Sequence, residues 1–137
     1  MFNLFALVKD HDHRITPDSL IRDLREKFAW AHDYHIEKED LEFPRTTVVN
    51  LTKPDWRIRI SIRPDEDMTL DTGELHKILH KKTTLPADFL SYNTELAIGF
   101  ADDPEQRYTD DIINFGEFIR ENYPGVVIFD QYNLDVW

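Results

Sequence analysis

The stretch WRIRISIR, residues 56–63, alternates apolar and polar side chains over its whole length. A period of two is typical of a β-strand that buries one face. The preceding stretch TTVVNLT, residues 46–52, is also strand-like, and the Lys-Pro-Asp sequence between the two suits a tight turn. Together they predict an antiparallel hairpin. Its second strand would bury Trp56, Ile58, Ile60 and Ile62, and its other face would carry Arg57, Arg59, Ser61 and Arg63.

Outward from the hairpin, the chain predicts the element order β-α-β-β-α-β-α-β. Further strands are expected at residues 2–8, 95–100 and 126–130. Helices are expected from the N-cap Thr16 to residues 31–34, over residues 70–81, and from the N-cap Thr109 to the Pro-Gly pair at 124–125. The charged segment 35–44 has few apolar side chains, which indicates a loop or a frayed helix.

This order indicates an α+β fold, in which a mainly antiparallel sheet carries its helices on one face. The first six elements match a ferredoxin-like core, to which one helix and one strand are added. With 137 residues, of which 41% are hydrophobic, the chain has the size and the core of one domain. We therefore expect a single domain over residues 1–137.

The composition and the lengths of the apolar runs indicate in which cellular compartment to expect the protein. The sequence contains no cysteine, which excludes disulfides and thiolate metal sites. The amino-terminal stretch lacks the basic segment and cleavage site of a signal peptide, and no apolar run approaches the roughly 20 residues that span a bilayer. The expectation is a cytoplasmic protein that does not enter a membrane.

Negative charge is concentrated in the last quarter of the chain. Residues 102–137 hold nine carboxylates and two arginines, a local charge of -7, whereas the whole chain has a net charge of -11. Such a field repels nucleic acid and accelerates association with basic proteins. We therefore expect a basic protein partner and no nucleic acid. The candidate contact residues are Asp102, Asp103, Asp110, Asp111, Glu117, Glu121 and Asp130, with the aromatic residues Tyr132 and Trp137.

Some of these residues have a second interpretation that the sequence leaves open. Adjacent acids such as Asp102–Asp103 and Asp110–Asp111 can supply an acid and a base, but in a loop or first helical turn they more often cap and solvate. Tyr132 and Trp137 follow the last predicted strand. They could be exposed anchors for a partner or could fold back into the core.

Six histidines form three close pairs, which raises the question of a metal site. His76 and His80 share a helical face, but Lys77 stands where a hydrolytic HExxH motif has glutamate. No phosphate-binding glycine loop or nucleophile elbow is present. We therefore expect no metal, no cofactor, no catalytic residues and no enzymatic activity; the alternative is a metal-dependent hydrolase. The pairs are His11 with His13, His32 with His35, and His76 with His80.

The arginine face of the predicted hairpin has three interpretations. It could be a solvated face, since antiparallel sheets commonly expose one side. It could pair with the chain's own carboxylates or with those of a partner. Association through this face would make the protein a homo-oligomeric structural or regulatory domain, and the sequence does not decide the oligomeric state.

The carboxyl-terminal sequence GVVIFDQYNLDVW, with the acidic last quarter and the absence of cysteine, resembles the small immunity proteins of bacterial toxin-immunity systems, including contact-dependent inhibition. The resemblance is one of class and assigns no residue a role. It implies an inhibitor that occupies the active or substrate-binding surface of a toxin, often the basic surface of a nuclease. The charge distribution favours the same kind of partner.

Overall fold

The structure, a computed structural model, describes residues 2–9, 15–29, 33–42 and 45–137. These residues form a seven-stranded antiparallel sheet with the order β2-β3-β4-β5-β1-β6-β7. The expected α+β fold with a mainly antiparallel sheet is confirmed. In the described part of the chain, no helix is long and apolar enough to cross a membrane. The strands are β1 Phe2–Val8, β2 His35–Glu42, β3 Arg45–Lys53, β4 Trp56–Pro64, β5 Thr94–Phe100, β6 Val127–Asp130 and β7 Asp135–Val136. The helices are α1 Pro17–Leu24, α2 Thr72–Leu79 and α3 Thr109–Asn122.

The predicted hairpin is confirmed as β3 and β4. Lys53 lies opposite Trp56, so the turn consists of the two exposed residues Pro54 and Asp55. Trp56 is 3% exposed, and Ile58 and Ile60 are fully buried, whereas Arg57 is exposed. The alternation in this stretch therefore correctly predicted which side of β4 is buried.

Helices cover both faces of the sheet, and the expectation that all of them lie on one face was wrong. Leu4 and Ala6 of β1 pack in the same cluster as α1 and α3, whereas Phe5 and Leu7 pack in a second cluster with α2. We call these two sides the α1–α3 face and the α2 face. The apolar run in β1 has hydrophobic side chains of both parities, and one-sided cover would leave half of them in water.

The ferredoxin-like core was also wrong. That arrangement places the first strand beside the second strand of the hairpin, in parallel orientation. Here β5 occupies the place next to β4, and it pairs antiparallel with both β4 and β1. As a result β1 lies between β5 and β6, under helices on both faces, where its side chains can be buried.

The segment expected to be a loop or frayed helix is the edge strand β2 over residues 35–42; residues 43–44 lie outside the described part. β2 pairs along its whole length with β3. In this fully described strand Ile36 is the one buried side chain. The strand is therefore held by backbone pairing rather than by an apolar face, which is why hydrophobic periodicity did not reveal it.

Helix boundaries were partly predicted. Thr16 is the N-cap of α1, and it forms a capping box with Ser19. The α-helix ends at Leu24 and is followed directly by a π-helical turn, Arg25–Ala29. Residues 30–32 of the expected helix lie outside the described part. The predicted cap Thr109 was wrong, because Tyr108 is the N-cap of α3 and makes no side-chain cap hydrogen bond.

Candidate protein-binding surface

Three of the predicted contact residues lie together on the outer side of α3. Asp110, Glu117 and Glu121 are exposed, and the helix places them on one side with Ile113, which is 47% exposed. The opposite side of α3 buries Phe115 and Ile119 in the core. We call the four outer residues the α3 stripe. It extends for about 16 Å along the helix at a rise of roughly 1.5 Å per residue.

The carboxylates of the α3 stripe form no ion pair with another described residue. Neither an ion pair nor a hydrogen bond joins the side chains of Asp110, Glu117 or Glu121 to another described residue. The nearby Lys27 donates to the amide oxygen of Asn122 at 2.6 Å rather than to a carboxylate. The stripe thus presents three carboxylates around an exposed isoleucine.

Asp111, another predicted contact, has a different environment from Asp110 beside it. Its side chain is 16% exposed and accepts hydrogen bonds from the hydroxyl of Tyr34 at 2.5 Å and from Nζ of Lys53 at 3.1 Å. Burial raises the pKa of Tyr34 well above its usual range, and the hydrogen bond to Asp111 raises it further. Asp111 therefore joins the start of α3 to β3 and is not free to meet a partner.

This contact belongs to a larger cluster that sequence reasoning missed. The ring of Tyr108 stacks on Trp56, with centroids 4.5 Å apart and planes 2° apart. The hydroxyl of Tyr108 donates to Asp55, and Arg107 pairs with the same carboxylate at 2.8 Å. The hydrogen bond from Tyr108 is the main cause of a lowered pKa at Asp55. The cluster fastens α3 to the hairpin turn, and residues this far apart in the chain gave no signal of their contact.

Asp103 and Asp130 organise turns. The carboxylate of Asp103 accepts the backbone N–H groups of Arg107 and Tyr108, at 2.9 and 2.8 Å. Asp130 is 2% exposed and accepts N–H groups from Tyr132 and Asn133, as well as the side-chain amide of Asn133. Both of these carboxylates are therefore used in hydrogen bonds within the chain, and Asp102, although exposed, also takes part in an interaction within the chain.

The two aromatic candidates have different environments. Tyr132 is 88% exposed in the turn between β6 and β7. Trp137 packs against Phe2 with ring centroids 5.8 Å apart, and its ring lies so near Gly116 that an added Cβ would come within 3.2 Å of it. Trp137 is therefore part of the packing under α3, and of the two aromatic candidates Tyr132 is the exposed one.

Of the three histidine pairs, His76 with His80 is the one that lies wholly within the described residues. No group of three or more His, Cys, Asp or Glu side chains in those residues could hold a metal ion. His76 and His80 stack with centroids 5.4 Å apart, and His80 Nδ1 lies 2.8 Å from the carbonyl oxygen of His76. His35 is close to Glu37, at 3.6 Å. His11, His13 and His32 lie outside the described residues.

Two of the three arginines on β4 pair with the chain's own carboxylates. Arg59 contacts Glu39 of β2 at 2.9 Å and also donates to Asn50 of β3. Arg63 lies 3.4 Å from Glu95, whose fully buried carboxylate also accepts N–H groups of the loop before α2. These contacts favour an internal bracing role for Arg59 and Arg63 over association through this face.

The α3 stripe is thus an outward-facing group of carboxylates that have no ion-pair partner among the described residues, and it adjoins an exposed apolar side chain. Charge and exposure of this kind suit contact with a cationic protein surface. No family model matches the chain, and no curated protein or solved structure does either.

Proposed function

We propose that the protein binds a cationic protein partner through the α3 stripe, and that it acts as an immunity protein that blocks a toxin. In this function the stripe would cover the basic active or substrate-binding surface of the toxin. The observation that carries the proposal is the set of three carboxylates that are exposed and form no ion pair with another described residue.

The chemistry of the stripe fits such a partner. Carboxylates spaced along one side of a helix resemble a short polyanion, and they steer a cationic surface before contact is made. Ile113, in the middle of the stripe, would supply apolar area at the centre of the contact. The same field disfavours binding of nucleic acid, because phosphates carry the same sign of charge.

The test compares two double variants with the same change in net charge. Glu117→Lys with Glu121→Lys reverses the stripe, whereas Glu66→Lys with Asp67→Lys reverses two exposed acids beyond the end of β4. Each protein is used to capture partners from the source cell, and association with the captured protein is followed at several salt concentrations. The stripe variant should associate about tenfold more slowly at low salt and should lose most of its salt dependence.

The control variant should associate within about threefold of the unaltered protein. Equal losses in the two variants would mean that overall charge, and not the α3 stripe, governs binding. The inhibitory role is checked separately on the captured partner. Its enzymatic activity should fall as the complex forms, and a partner that stays fully active in a saturated complex rules out the immunity function.

A further inference from the structure

The two edges of the sheet differ in length. At one edge, β7 has two residues, Asp135–Val136. At the other edge, β2 has eight residues and pairs with β3 alone among the described strands. Alternate residues of an edge strand direct backbone N–H and C=O groups outward, where another extended chain can pair with them.

The side chains of β2 add a strong charge preference to this edge. The strand HIEKEDLE carries four carboxylates and one lysine. Pairing with β3 places Glu37 and Glu39 toward the α2 face, and Asp40 and Glu42 toward the α1–α3 face. A strand added at this edge would therefore meet acidic side chains on both of its faces.

Cross-strand contacts hold β2 in register. Glu39 is bound to Arg59 of β4, which also bonds to Asn50 of the intervening strand β3. On the opposite face, Lys38 pairs at 2.9 Å with Asp18 of α1. The edge is therefore ordered before any partner arrives, which lowers the entropic cost of binding.

We infer that the outer edge of β2 binds an extended segment of a partner protein that is rich in lysine or arginine, which adds to the sheet as a further strand. This surface is separate from the α3 stripe and does not depend on it. A second copy of the chain is a poorer occupant. If two copies of β2 paired antiparallel about a two-fold axis, the residue at the centre of the pairing would lie opposite its own copy. The residues near the middle of β2 are all charged, so like charges would meet there; they are Glu37, Lys38, Glu39 and Asp40.

The register of β2 defines a probe. A capped peptide with the sequence Lys-Val-Lys-Lys-Glu-Lys-Val-Thr, paired antiparallel with residues 42 to 35, sets a lysine against each of the four acids and a glutamate against Lys38. Its binding is measured by fluorescence anisotropy, and amide exchange of β2 is followed by NMR. Binding should slow the exchange of alternate β2 amides by about tenfold or more.

Two N-methylated forms of the peptide separate strand addition from simple charge attraction. Methyl groups on alternate residues block either the side that pairs with β2 or the side that faces away. The form methylated on the side that pairs with β2 should bind about tenfold or more weakly than the unmethylated peptide. The form methylated on the side that faces away should bind within about threefold of it. Equal binding of both forms, or no binding of the unmethylated peptide, overturns the inference.

Protein variants locate the site. Glu37→Lys with Glu42→Lys should weaken the peptide about tenfold, because two attractive cross-strand pairs become repulsive. The matched variant Glu117→Lys with Glu121→Lys should leave peptide affinity within about twofold. If the α3 variant weakens the peptide as much as the β2 variant does, the peptide follows overall charge and the site is not at β2.

Discussion

Removing the carboxylate of Asp111 should destabilise the protein far more than removing that of Asp110. Both residues lie in the first turn of α3, so each interacts with the positive end of the helix dipole. Asp111 also accepts hydrogen bonds from Tyr34 and Lys53, whereas Asp110 is exposed. Comparing Asp111→Ala with Asp110→Ala therefore cancels the contribution of the dipole and leaves that of the internal contacts.

The expected difference in the free energy of unfolding between the two variants follows from the contacts of Asp111. A hydrogen bond to a charged group contributes about 1.5 to 3 kcal/mol when it is shielded from water. The Asp111 side chain is 16% exposed and that of Lys53 is 22% exposed, so part of the ionic contribution is lost to solvent. We expect Asp111→Ala to lower the free energy of unfolding by about 2 to 3 kcal/mol more than Asp110→Ala. At this chain length that corresponds to a Tm roughly 8 to 12 °C lower.

Urea unfolding followed by tryptophan fluorescence measures both variants, and a double-mutant cycle with Tyr34→Phe isolates one contact. The coupling energy between Tyr34 and Asp111 should be about 1 kcal/mol or more. Variants of equal stability, or strictly additive effects in the cycle, would refute the assignment of Asp111 to an internal network. Asp111 would then return to the set of candidate partner contacts.

Two further predictions concern other parts of the molecule. Burial raises the pKa of Tyr34 and Tyr123 in the folded state, so the unfolded chain releases the protons of these hydroxyls first as the pH rises. The free energy of unfolding should therefore fall above about pH 10, by up to roughly 1.4 kcal/mol per pH unit for each of the two tyrosines. Urea unfolding between about pH 9 and 11 should therefore show a shallower fall for Tyr34→Phe. Gly125 has φ 82° and lies beside the hydroxyl of Tyr92, so Gly125→Ala should cost about 1 to 2 kcal/mol. Gly125→Asn should cost less in thermal unfolding, because asparagine adopts positive φ more readily, and an equal loss would count against backbone strain.

Local patterns in the sequence determined much of the secondary structure. The alternation in residues 56–63 marked β4 and its buried face, because a strand with one covered side must alternate. Thr16 before Pro17 marked the start of α1, since the capping groups lie within three residues of each other. The α3 stripe could also be predicted from the sequence, because Asp110, Glu117 and Glu121 recur at helical spacing.

Tertiary structure decided what depends on contacts between distant residues. The position of α2 on the opposite face follows from the burial of Phe5 and Leu7, and no local pattern specifies which helix covers them. β2 became a strand through backbone pairing with β3, which is nearly independent of side-chain pattern. The adjacent acids Asp110 and Asp111 look alike in sequence, yet the fold partly buries Asp111 against Tyr34 and Lys53 and leaves Asp110 exposed to water. Charge is read from composition, but whether a charge is available to a partner depends on which side chains the fold brings beside it.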